Sequence, residues 1–139
     1  MDKSQLPFLS ATELGSLIKS REVSPVEATE AYLERIPQID GKLNSYITVT
    51  ADRALADAKK AEQEIVSGKY RGPMHGVPIA VKDQVYTKGI LTTGGSTILK
   101  DFVPDEDATV ISNLNDAGAV LLGKLNMSEF AMGDAFEHP

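Results

Sequence analysis

The sequence predicts an α/β fold, with helices packed on a partial, largely parallel sheet. Three observations carry that reading. The front half holds repeated helix-start signals. The back half holds two apolar runs, "GVPIAVKDQV" at 76–85 and "AGAVLLG" at 117–123. Between them lies a segment with helical spacing, and apolar strands joined through a helix give parallel pairing with covered faces.

The elements follow in order. Ser10 and Glu13 have capping-box spacing, and Leu14, Leu17 and Ile18 mark the inner stripe of a first helix. "SPVE" starts a second, with Ser24 as N-cap, Pro25 at the first helical position and Glu27 three residues on. Val26, Leu33 and Ile36 face inward, and Pro37 is expected to end it. "LNSYITVT" reads as a short strand or extended loop. A third helix is expected from Ala51 to Val66, with Ala54, Leu55, Ala58 and Ile65 inward and a stop near Gly68. "YRGPMHGVP" is a turn-rich entry to a strand over 77–85. Asp105, Glu106 and Asp107 stand where a helix macrodipole favours anions, followed by Val110, Ile111 and Leu114 facing inward. Gly118 is the expected stop before a strand over 119–123. A last short helix is expected from Asn126, with Glu129 three residues on. The organisation expected is one incomplete domain over 1–139, with a mainly helical leader (1–70) and a strand–helix–strand part (71–139).

Composition narrows the function classes. A chain of 139 residues suits one core, and 42% hydrophobic with 24% charged residues describes a globular chain rather than a disordered one. The net charge of −6 argues against direct nucleic-acid binding, since nothing here would displace counterions from phosphates. The absence of cysteine removes disulfides, thiol nucleophiles and Cys-ligated zinc together. The N-terminus has no apolar run long enough for a signal peptide or a membrane span, so a cytoplasmic protein without membrane attachment is expected.

Lys82 is the anomaly. It interrupts the best strand of the chain. Alternation puts Val77, Ile79 and Val81 on one face and Pro78, Ala80 and Lys82 on the other. Helices on both faces would shut Lys82 away from water. Desolvation would then lower its pKa and make the neutral amine a candidate general base. The bland reading is a lysine near a strand end that snorkels to solvent or pairs with a carboxylate such as Asp83.

Other candidates are weaker. His75 lies in a turn and reads as structural. The two histidines lack a spaced carboxylate motif, so no metal and no other cofactor is expected. Ser96, in "TTGGST", lacks the strand–elbow–helix context of an activated serine and reads as a turn residue. The "GGS" run is not followed by a phosphate-loop lysine. The Met and Phe of "NMSEFAMG" read as core packing.

The linked motifs "GPMHGVPIAVKD", "TKGILTTGGS", "VPDEDATVI" and "AGAVLLGKLNMSEFAMG", spread over residues 72–133, resemble the N-terminal portion of the amidase signature family. The resemblance extends to the leading "LSATELGSLIKSREVSPVEATEAYLERI" and so covers the whole chain. It implies a large α/β fold with a mixed central sheet, and amide C–N hydrolysis by a Ser–cis-Ser–Lys triad. "IAVKD" matches the motif of the triad lysine, so the resemblance assigns that role to Lys82. Neutral Lys82 would take a proton through the bridging serine, activate the nucleophilic serine, and return a proton to the departing amine. The resemblance also implies that Ala131, Met132 and Gly133 reach the substrate. Gln84 departs from the asparagine that often follows the "KD" pair, which puts local contacts near the lysine in doubt.

The two serines of the family lie in a Gly/Ser-rich segment C-terminal to "DAFEHP", and nothing here resembles it. The isolated chain is therefore expected to be inactive, and only a longer parent would act on small amides. Two or three strands of a large sheet leave open edges, which implies a homo-oligomer or a complementing C-terminal part paired through them. Two other readings stand beside the general amidase. One is the amidase subunit of a glutamine-dependent aminoacyl-tRNA amidotransferase. The other is a non-catalytic binding or scaffold protein derived from an amidase.

Overall fold

The computed structural model describes residues 2–132. A short 3-10 turn (Lys3–Phe8) leads into α1 (Ala11–Ser20) and α2 (Pro25–Leu43). Then come β1 (Tyr46–Val49), α3 (Ala51–Val66), β2 (Pro78–Lys82), α4 (Thr109–Asp116) and β3 (Val120–Leu125). The sheet order is β1-β3-β2, with β2 parallel and β1 antiparallel to β3. The sheet is therefore mixed, as the family resemblance implied.

Both expected capping boxes form. Ser10 accepts from the Glu13 N–H while Glu13 accepts from the Ser10 N–H, and Ser24 and Glu27 repeat the exchange. Each box satisfies two donors that an α-helix leaves unpaired at its start. Pro37 does not end α2. Its ring removes one donor from the ladder on an exposed side of the helix, and the chain beyond it is anchored elsewhere. The Asp40 carboxylate accepts from the N–H groups of Ser45 (2.8 Å) and Tyr46 (3.3 Å), and Asn44 closes the helix in the left-handed region (φ 51°).

One buried cluster joins Leu14, Ile18, Ala28, Ala31, Ile65 and Val77. Another packs Ala54 and Ala58 of α3 on Val120 and Leu122 of β3. Leu55 is only half-buried, and Ala61, absent from the expected stripe, is buried. Gly118 ends α4's turn at φ 78°, and a Cβ there would run into the buried His75 ring.

Four expectations about the back half are corrected. β2 is shorter than 77–85, because beyond Lys82 the chain turns back and Val85 N–H bonds the Lys82 carbonyl (2.9 Å). β3 runs past Gly123 to include Lys124 and Leu125. Val110 is exposed; α4 has eight residues and buries only Ile111 fully, with Leu114 half-buried. The acidic run 105–107 stops one residue before the N-cap Ala108, so none of the three lies in the first turn of α4. Asp107 instead accepts from Lys88 N–H (2.7 Å) and Asn115 Nδ2 (3.2 Å).

The expected helix from Asn126 is a single 3-10 turn, Glu129–Ala131, with Phe130 and Ala131 in the left-handed region. Glu129 accepts from the Ser96 hydroxyl (2.6 Å), and Phe130 N–H donates to the Gly94 carbonyl (2.8 Å). Contacts with the Gly-rich loop take the groups that a helix start would have used. Met127 is buried, but Phe130 is partly exposed, so only the first of that pair is core.

Candidate active site at the ends of two parallel strands

β2 and β3 run side by side, and each carries a lysine after an apolar run, Lys82 as the last residue of β2 and Lys124 as the last but one of β3. Register pairs Val81 with Lys124 and Lys82 with Leu125. Paired residues share a face and successive residues alternate, so the two lysines leave the sheet on opposite faces.

Lys124 is wholly buried. Its Nζ donates to Thr92 Oγ1 (2.6 Å) and lies 3.4 Å from Asp83 Oδ1, a distance that serves attraction but no aligned hydrogen bond. Burial pushes the Lys124 pKa down, and the Asp83 charge opposes that shift. Asp83 is also fully buried. Its Oδ2 accepts from Thr93 N–H (2.8 Å) and Thr93 Oγ1 (2.5 Å). Its backbone N–H donates to Leu125 O (3.0 Å), and its carbonyl accepts from Gly94 N–H (3.2 Å).

Lys82 is exposed, which corrects the expectation that it is shut away from water. β2 pairs only with β3 among the described residues, and Pro78 through Val81 are each only half-buried. No described side chain makes a hydrogen bond or ion pair with the Lys82 ammonium. Asp83, the carboxylate considered for it, is spent on Lys124 and Thr93.

Ala131 and Met132 are exposed, and Met132 is 72% accessible. Gly133 lies outside the described residues. Gly94 ties this segment to the lysine motif: its N–H bonds Asp83 and its carbonyl accepts from Phe130. Ser96 is buried and occupied, donating to Glu129 and accepting from Ile98 N–H (3.2 Å), which agrees with a turn role.

His75 is a buried structural group. Its Nδ1 accepts from Arg71 N–H (3.1 Å) and its Nε2 sits 3.1 Å from Glu64 Oε2, off the hydrogen-bond direction. Burial is the main cause of its lowered pKa, against which Glu64 acts. The cleft beside it, about 260 Å³, is lined by Arg53, Lys60, Glu64 and Arg71 among others and includes no residue of the lysine motif. Among the described residues no group of His, Asp and Glu side chains is placed to hold a metal ion. No described helix is long and apolar enough to cross a membrane.

Sequence reasoning missed Lys124. The signal was there, since "AVLLGKL" interrupts an apolar run with a lysine just as "PIAVKD" does. What these residues define is one α/β layer that presents an accessible amine above a buried charge pair.

Comparison with known proteins is consistent with that class and narrower. Residues 27–139 match the family model described as Amidase. The chain is 46% identical over 134 residues to a glutamyl-tRNA(Gln) amidotransferase subunit from Moorella thermoacetica, covering 96% of this chain and 28% of that protein. The crystal structure of an amidase family protein from Bacillus anthracis superposes with a TM-score of 0.86 at 35% identity, covering 99% of this chain and 28% of that one. Native peptide amidase from Stenotrophomonas maltophilia gives 0.83 at 36%, covering 90% and 26%. The chain belongs to the amidase family. It spans little more than a quarter of the length of these relatives.

Proposed function

We propose that this chain is the lysine-bearing front portion, one incomplete domain, of a longer amidase that hydrolyses carboxamide C–N bonds. The observation that carries this is Lys82 at the end of β2, in "IAVKD", with its amine exposed while the neighbouring carboxylate faces Lys124 and Thr93 instead. In the reaction, Lys82 acts as the base behind two serines that lie beyond this segment. The role requires that the rest of the longer protein cover this amine from water, since desolvation favours the neutral form of any amine. The neutral amine takes the proton relayed from the nucleophile, an acyl-enzyme forms, and the same proton goes to the departing amine.

Ala131, Met132 and Gly133 are the substrate-side residues of this reading. The open edges of β1 and β2 are where the complementing part, or a second copy, pairs. The setting is the cytoplasm. The isolated chain does not turn over amides, because removing members of a nucleophile–base unit abolishes most of its catalysis.

A second reading takes glutamine as the amide and places the longer protein in a tRNA-dependent amidotransferase. Its support is the name of the Moorella relative. Ammonia release from glutamine and from simple carboxamides by the longer protein separates the two. Lys82→Ala in that protein tests both, with loss of turnover expected. Full turnover by Lys82→Ala overturns the amidase assignment of this lysine. Turnover by the isolated chain that Lys82→Ala removes overturns its inactivity. If neither amide is hydrolysed by the longer protein, the scaffold reading takes over.

A further inference from the structure

We infer that Asp83 is a positioning residue for Lys82, with Lys124 as the buried counter-ion that holds it in place. This rests on the amidase reading of Lys82. Asp83 follows Lys82 directly, and its backbone and side chain are held on every side. Leu125 O takes its N–H, Gly94 N–H takes its carbonyl, Thr93 donates twice to Oδ2, and Lys124 faces Oδ1. Lys124 is itself bonded to Thr92, one residue before Thr93.

Two buried charges are a poor way to gain stability, because well-packed apolar residues of similar size often serve as well or better. What the pair supplies is direction. It holds Asp83, the first residue of the turn, to the Lys124 side of the sheet just where β2 ends, and Lys82, paired with Leu125, leaves on the other face. The same carboxylate fixes the Thr93–Gly95 turn, since Thr93 Oγ1 also accepts from Gly95 N–H (3.1 Å). That turn holds the segment at 129–132 through Phe130 N–H and the Ser96–Glu129 bond. One buried carboxylate therefore sets both the origin of the base and the seat of the proposed substrate-side segment. A misplacement of about 1 Å at a reacting group can lower a rate about a hundredfold.

The test is the Asp83→Ala/Lys124→Met double variant of the longer amidase, which removes the anchor and leaves no orphaned charge. Its kcat per folded molecule is expected to fall at least about tenfold, with faster hydrogen exchange at the Gly94 and Phe130 amides. A merely structural pair would lower the unfolding midpoint and leave kcat per folded molecule unchanged. A folded double variant with kcat within about twofold of the parent, while Lys82→Ala is dead, overturns this inference and leaves the amidase reading standing. If Lys82→Ala stays active, the amidase reading fails first. Should the double variant not fold, Thr93→Val removes only the hydroxyl. A severalfold loss of kcat, restored by Thr93→Ser, is then expected, and an unchanged kcat overturns the inference.

Discussion

The ends of β2 and β3 make a controlled pair. Both are parallel strands with a lysine at or next to the last position after an apolar run, yet Lys124 is sealed and Lys82 is in water. The difference lies in what stands on each face. Lys124 sits on the central strand, and its amine meets Asp83 and Thr92 from the turn and loop after β2. Lys82 sits on an edge strand, and no described side chain pairs with its amine. A buried lysine needs a counter-charge and a hydrogen-bond acceptor. Asp83 and Thr92 supply both to Lys124, and among the described residues no side chain does so for Lys82.

Breaking the buried side should hurt most. Asp83→Ala leaves the Lys124 cation in an apolar setting without its counter-ion, and is expected to destabilise the chain by about 3–5 kcal/mol in urea unfolding. A loss no larger than a surface substitution produces would mean that water reaches Lys124. Thr92→Val removes the acceptor of the Lys124 ammonium at 2.6 Å, and about 1.5–3 kcal/mol is expected. Limited acetylation of the native chain, read by peptide mass spectrometry, should label Lys82 and spare Lys124. Urea should equalise the two.

His75 extends the contrast to a group held neutral by burial. Its folded pKa is lowered, chiefly by desolvation, so below the ordinary histidine value of about 6.5 the unfolded chain binds the extra proton first. Stability should therefore be full above that pH and fall as pH drops through the folded pKa. His75→Gln should flatten that slope in urea midpoints taken across the same range. The smallest effect belongs to the exposed side. Lys82→Ala should change the stability of this chain by no more than about 0.5 kcal/mol. A larger loss would show that Lys82 has a partner in solution.

How much of this was legible depends on the range of the interaction. The capping boxes at Ser10 and Ser24 and the reach of α3 were readable, because each rests on groups a few residues apart. Whether "LNSYITVT" would be strand or loop stayed open, because β1 pairs with β3, more than seventy residues on. The stop at Pro37 was misread for a cause that is also local: Pro37 lies on the exposed side of α2, and Asp40 closes the helix on Ser45 and Tyr46, five and six residues on. The helix from Asn126 failed for a reason of range: Ser96 and Gly94, more than thirty residues away in sequence, claim Glu129 and Phe130.

The site divides the same way. The motif around Lys82 and the family were in the linear pattern, since motif spacing is a property of the chain itself; its place at the end of β2 was not, because the strand was expected to run on to Val85. Which lysine would be buried was not. Both lysines follow similar runs, and the choice depended on strand order, on the register that sends them to opposite faces, and on a loop that brings Thr92 and Thr93 back over Asp83. Burial of a charge is decided by what surrounds it in space, and residues distant in the chain supply those surroundings.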